Sequence, residues 1–149
     1  MRHPIRVVAP VLAAMLVLGG CGAPPEDTVP DKVEAAHVEE VDGQPNLHRI
    51  TLTARAAERL GIETAEVATG DRGRLQVPYS SLIYDADGGA WAYVVDGDLT
   101  YVRNPVTVAE VVSDNAGDYA LLEDGPGAGE TVVTVGVAEL FGTEFEVGH

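Results

Sequence analysis

Residues 90–108 read AWAYVVDGDLTYVRNPVTV, two valine- and tyrosine-containing runs on either side of Asp96-Gly97. Valine, tyrosine and threonine favour the pleated, half-buried backbone of a strand. Asp-Gly between two such runs is a strong hairpin signal, because tight hairpin turns need the positive φ that these residues tolerate. The register stays open at this point, since Asp98 can lengthen the loop.

The pattern continues on both sides. Runs rich in valine, tyrosine and threonine at 81–84, 90–95, 99–103, 106–112, 119–122 and 131–135 are separated by Gly, Asp, Asn and Pro. Asn115 to Asp118 reads as one turn and EDGPGAGE, 123–130, as a longer one. Short strands at such close spacing predict a small barrel or sandwich. Upstream, Leu47 to Leu52 alternates as a half-buried strand does. In TARAAERLG, Thr53 is a good N-cap, Ala54 to Leu60 favour helix, and Gly61 suits a left-handed C-terminal position. Ile62 to Val67 returns to a strand pattern, and Ala138 to Phe145 predicts a closing helical turn. Residues 47–149, 103 in all, have room for one modest core.

The N-terminal part is different. Arg2, His3 and Arg6 precede an apolar run, Val7 to Leu18, and then Gly19-Gly20-Cys21. A run of about a dozen residues is too short to span a bilayer, which needs roughly 20, and it has the anatomy of a secretory signal. Leu18-Gly19-Gly20-Cys21 resembles the bacterial lipobox, which implies cleavage after residue 20 and lipidation of Cys21. As the single cysteine, it has no internal disulfide partner. Residues 22–46, GAPPEDTVPDKVEAAHVEEVDGQPN, are acidic and proline-containing, so 21–46 is expected to be a disordered spacer with at most a frayed helical turn over Val33 to Val41.

Charge and residue types exclude several functions. Removal of residues 1–20 leaves seven basic side chains against 24 acidic ones, and Lys32 is the one lysine. So negative a surface repels phosphate backbones and argues against nucleic acid and against a basic lipid-binding face. No nucleophile elbow surrounds Ser80-Ser81, and GPGAG, 125–129, lacks the Lys-Ser/Thr of a phosphate loop. No catalytic constellation and no cofactor is therefore expected. The metal candidates are weak: His37 with Glu39 and Glu40. Trp91, Tyr93 and Tyr101 are read as core in preference to a binding face.

The order of the β segments carries a resemblance. QVPYSSLIYDADGGAWAYVV, YVRNPVTV and GETVVTVGVAELFGTEFE, with Val77-Pro78, Trp91 to Val95, Arg103 to Val108 and Gly129 to Val133, resemble the C-terminal end of periplasmic adaptor subunits. These are the membrane fusion proteins of resistance-nodulation-division (RND) efflux pumps, and the heavy-metal branch is the closest. ITLTARAAERLGIETAEV is similar to the segment that opens the folded part of such adaptors. Together the matches cover nearly all of residues 49–145. A complete adaptor places a lipoyl-like domain, a long α-helical hairpin and a β-barrel between the two segments. Here nine residues, ATGDRGRLQ, separate Val67 from Val77, and no heptad run is present to build the hairpin. The resemblance thus reaches the membrane-proximal domain alone, which implies a mainly β, circularly permuted SH3-like barrel with one short helix.

The expectation is a non-enzymatic module, lipid-anchored on the periplasmic side of the cell envelope to the inner or the outer membrane. It would dock on an inner-membrane RND transporter, with a full-length adaptor as a further partner. Its expected contact residues are Asp85 and Asp87 in one acidic, glycine-rich loop and Glu123 and Asp124 in another, because loops are free to vary where strand side chains are committed to the core. The alternative is an envelope lipoprotein that binds a small ligand or a divalent metal.

Overall fold

The computed structural model describes residues 34–70, 73–115 and 117–146; Cys21, the signal segment and the first part of the spacer lie outside them. Among the described residues ten strands and two helices follow one another: β1 (Ala36–Val41), β2 (Gln44–Leu52), α1 (Ala54–Leu60), β3 (Glu63–Glu66), β4 (Ala68–Thr69), β5 (Leu75–Pro78), β6 (Leu82–Tyr84), β7 (Ala90–Gly97), β8 (Thr100–Asp114), β9 (Gly117–Asp124), β10 (Thr131–Val135) and α2 (Val137–Glu146). The fold is mainly β, and its strands curl into one nearly closed, barrel-like sheet.

The caps of α1 form as the sequence predicts. Thr53 Oγ1 accepts from the Ala56 amide at 3.2 Å, and Gly61 takes φ 61° and ψ 41°. The hairpin between β7 and β8 forms too, but its turn lies two residues beyond the Asp-Gly pair. Gly97 pairs with Thr100, so Asp98 and Leu99 are the loop, and Leu99 has φ 50°. Positive φ strains a leucine. Leu99 adopts it because its side chain packs on the core and its carbonyl accepts from Leu52 N at 2.9 Å.

The spacer ends earlier than expected. Residues 36–41 are not linker or helical turn but strand β1, antiparallel to β2 from Ala36↔Leu52 to Glu40↔His48. Alternation explains it: Ala36 and Val38 pack against the core, while His37 and Glu39 face out. Asp42 and the positive-φ Gly43 make the tight turn. The runs at 99–103 and 106–112 are one strand, β8, which passes through Pro105 opposite Trp91. There β8 lies between its pairing with β2 and its pairing with β9, so only β7 flanks it, and a one-sided strand tolerates a proline. Bulges near Thr107 and Val108 then bend it towards β9.

The segment 63–69 closes the barrel. Its first half, β3, pairs with β10, and its second half, β4, pairs with β5 at the other end of the sheet. Val67 joins the halves, with its amide on Glu130 O at 2.8 Å and its carbonyl accepting from Gly129 N at 2.9 Å. Two apolar layers result. Val67, Val77, Ala92, Val106, Ala120, Leu122 and Val132 fill the barrel. Ile50, Leu52, Tyr93, Tyr101 and Val133, from β2, β7, β8 and β10, pack with Ala56 of α1 and with Val137 and Leu140 of α2 outside it. Neighbours in one strand, such as Ala92 and Tyr93 or Val132 and Val133, serve opposite layers.

Candidate functional site

Helix α2 begins after Gly136, whose φ of 93° and close approach to Ile62 leave no room for a side chain. Val137, Leu140 and Glu144 follow at helical spacing, and all three point inward. An apolar face with a glutamate at its end needs polar partners inside the protein. The sheet supplies them.

Tyr93 Oη donates to Glu144 Oε2 at 2.5 Å, and Arg103 Nε lies 3.0 Å from Oε2 and 3.2 Å from Oε1. Arg103 also donates through Nη2 to the Asn46 carbonyl at 3.0 Å. His48 Nδ1 sits 3.4 Å from Oε1 at the partly open rim. Arg103 is 5% exposed, Glu144 3% and Tyr93 fully buried, so the charges are paired out of water. Burial, then the neighbouring carboxylate, pushes the Tyr93 hydroxyl far above its ordinary pKa. It remains a donor across the biological pH range. Aromatic faces enclose the guanidinium, with its carbon 4.1 Å from the Trp91 ring centroid, 5.1 Å from that of Phe145 and 5.8 Å from that of Phe141.

The network continues to the surface. Trp91 Nε1 donates to Asp85 Oδ2 at 2.8 Å, and Asp85 Oδ1 accepts from the amides of Gly89 at 2.7 Å and Asp87 at 3.0 Å. These donors, the indole first, hold the Asp85 carboxyl below its ordinary pKa of 3.8. The charge is stabilised in the folded state, so its contribution is present above the ordinary value and is lost as pH falls through the lower folded one. Acid titration should therefore change the fluorescence of Trp91, the single tryptophan, with a midpoint below 3.8, and Asp85→Asn should remove that step. An unchanged signal from pH about 5 to about 2 would contradict the assignment.

Asp85 is thus committed to its turn, whereas Asp87, Glu123 and Asp124 are exposed. Strand register brings the two acidic loops together: Ala90, just after the first loop, opposes Val106, and Asp124 opposes Thr107. Both loops emerge beside the middle of β8. Of the three metal candidates two meet, with His37 Nε2 3.9 Å from Glu39 Oε2. On β1, Glu40 faces away from His37 and Glu39, and Glu39 is engaged by Arg49 at 3.4 Å. Among the described residues no three His, Cys, Asp or Glu side chains converge on a cation position. Ser81 is buried and donates to the Pro78 carbonyl at 2.7 Å. A shallow groove of about 500 Å³ crosses the outer face of β5, β9 and β8, with Arg74, Gln76, Glu110 and Tyr119 on its walls. Among the described residues no helix is long and apolar enough to cross a membrane.

Sequence reasoning took Tyr93 as core and missed the Tyr93, Arg103 and Glu144 cluster. Its signals were one arginine two residues from Tyr101, hence in the same buried phase, and one glutamate four residues after Leu140. Comparison with family models, with curated proteins and with solved structures found no match to this chain.

Proposed function

We propose that the chain is a lipid-anchored accessory module of an RND efflux system that docks on the inner-membrane transporter and performs no chemistry itself. One observation carries the reading. The two stretches that resemble an adaptor, 50–67 and 76–146, build one barrel-like sheet, and between them Ala68 pairs with Gln76 and Thr69 with Leu75. Gly70 N meets Arg74 O at 2.8 Å beside these pairs. The ends of the two stretches, at β4 and β5, are therefore neighbours, which supports the reading of a membrane-proximal domain able to close without the lipoyl-like domain or the long helical hairpin.

The acidic rim supplies the contact. Asp87, Glu123 and Asp124 are exposed around mid-β8 and are free to meet a complementary positive surface. Reversal of these three charges, with Asp85 left intact to hold its turn, should weaken capture of the transporter in a crosslinking pull-down. The loss should be larger at low salt, where exposed charges are least screened. Recovery of no transporter component with the wild-type loops would end the docking reading in favour of ligand binding.

A further inference from the structure

The geometry points to α2 as a hinged strap over the outer face of the sheet, latched by Glu144 and tied through Arg103 and Trp91 to the Asp85 turn. The inference goes beyond transporter docking and stands on the fold alone. The barrel interior contains no residue of α2, because its apolar cluster is built from β5, β7, β8, β9, β10 and Val67. Helix α2 packs only into the outer layer, so lifting it leaves the barrel's own core in place. Its N-terminal end is joined to β10 by Gly136, the one residue type that fits there. Polar attachment is concentrated at the opposite end, where Glu144 meets Tyr93, Arg103 and His48.

Such an arrangement differs from an ordinary packed helix. A buried ion pair contributes little net stability when made, yet leaves a stranded charge when half of it is removed, so Glu144 fixes where the end of α2 docks more than it adds to the stability of the barrel. The groups packed on Arg103 extend that attachment to the surface. Its guanidinium rests on Trp91, whose indole N–H is held by Asp85, and Asp85 belongs to the rim loop. Lifting α2 uncovers Tyr93, Arg103 and Ile50, an apolar and cationic strip quite unlike the acidic rim. A partner that draws on the Asp85 carboxylate therefore weakens the support of Arg103 and, through it, the latch.

Hydrogen exchange on the isolated full chain tests this without any partner, so its outcome is independent of transporter docking. In the wild-type chain the α2 amides should exchange at least about tenfold faster than those of Val77, Ala120 and Val132, and Glu144→Gln should speed the α2 amides on the order of a hundredfold while the barrel amides stay the slower set. Tyr93→Phe, which keeps the packing and removes one hydrogen bond, should give about a tenfold increase in α2, with the barrel amides still the slower set. It decides the question if the first variant does not fold. Asp85→Asn should accelerate the same α2 amides, although Asp85 lies outside the helix. One common protection for α2 and the barrel strands in the wild-type chain would overturn the strap, and an α2 unaffected by Asp85→Asn would overturn its tie to the turn.

Discussion

Arg103→Ala is expected to cost about 3–5 kcal/mol of folding free energy, and Glu144→Ala a similar amount. Each truncation strands the other charge in a site that is almost closed to water, with Arg103 5% and Glu144 3% exposed. Such a loss is a large part of the roughly 5–15 kcal/mol that holds a domain folded. Distance alone does not set the effect. Arg49 Nε reaches Asp96 at 2.8 Å, closer than Arg103 to Glu144, but both side chains are well exposed and water screens them. Removal of that pair should change little. The double replacement Arg103→Met with Glu144→Leu should recover much of the loss, because two matched apolar groups leave no stranded charge. Urea denaturation of the four proteins reads all of this. Single variants within about 1 kcal/mol of wild type would mean that water reaches the pair.

Leu122→Ala should be nearly as damaging, at about 2–5 kcal/mol. Leu122 is 2% exposed inside the barrel. Its Cδ1 lies 3.0 Å from where a side chain on Gly125 would begin, and Val106 approaches the same point to 3.1 Å. A sheet curled into a nearly closed barrel cannot contract around the missing atoms as freely as an open layer can, so the cavity should persist. In a domain of this size each kcal/mol moves the melting temperature by about 4–8 °C, so the thermal midpoint should fall well outside experimental scatter. A shift under about 4 °C would show that the barrel relaxes around the gap.

Elements governed by local chemistry were legible. The caps of α1 rest on Thr53 and Gly61, which act within one helical turn, and the strand at 131–135 has the predicted bounds. Strand β1 was hidden by its charge. AHVEEV has two glutamates and a histidine, and only Ala36 and Val38, which meet the core, show it to be a strand. Asp42-Gly43 was a hairpin signal as plain as Asp96-Gly97, but it lay inside an acidic tract. At Asp96-Gly97 the opposite happened, because burial of Leu99 overrode the local preference and moved the turn. The buried cluster was the least legible part. Arg103 and Glu144 are 41 positions apart, and no spacing rule joins a mid-strand arginine to a helix that follows two strands later. The acidic rim was visible as two loops, but their meeting beside β8 depends on register.

The two-sided strands have a consequence for how the chain finds its alignment. In β7 the residues that fill the barrel are Ala90, Ala92 and Val94, and those of the outer layer are Trp91, Tyr93 and Val95. A slip by one position would exchange the two sets. Since both sides of the strand are covered, hydrophobicity alone would barely oppose that error. Bulk opposes it instead, because the slip would drive a tryptophan and a tyrosine into space sized for alanines and strand the Tyr93 hydroxyl away from Glu144. The strand is therefore keyed by volume, and its small residues prevent misalignment as firmly as its large ones.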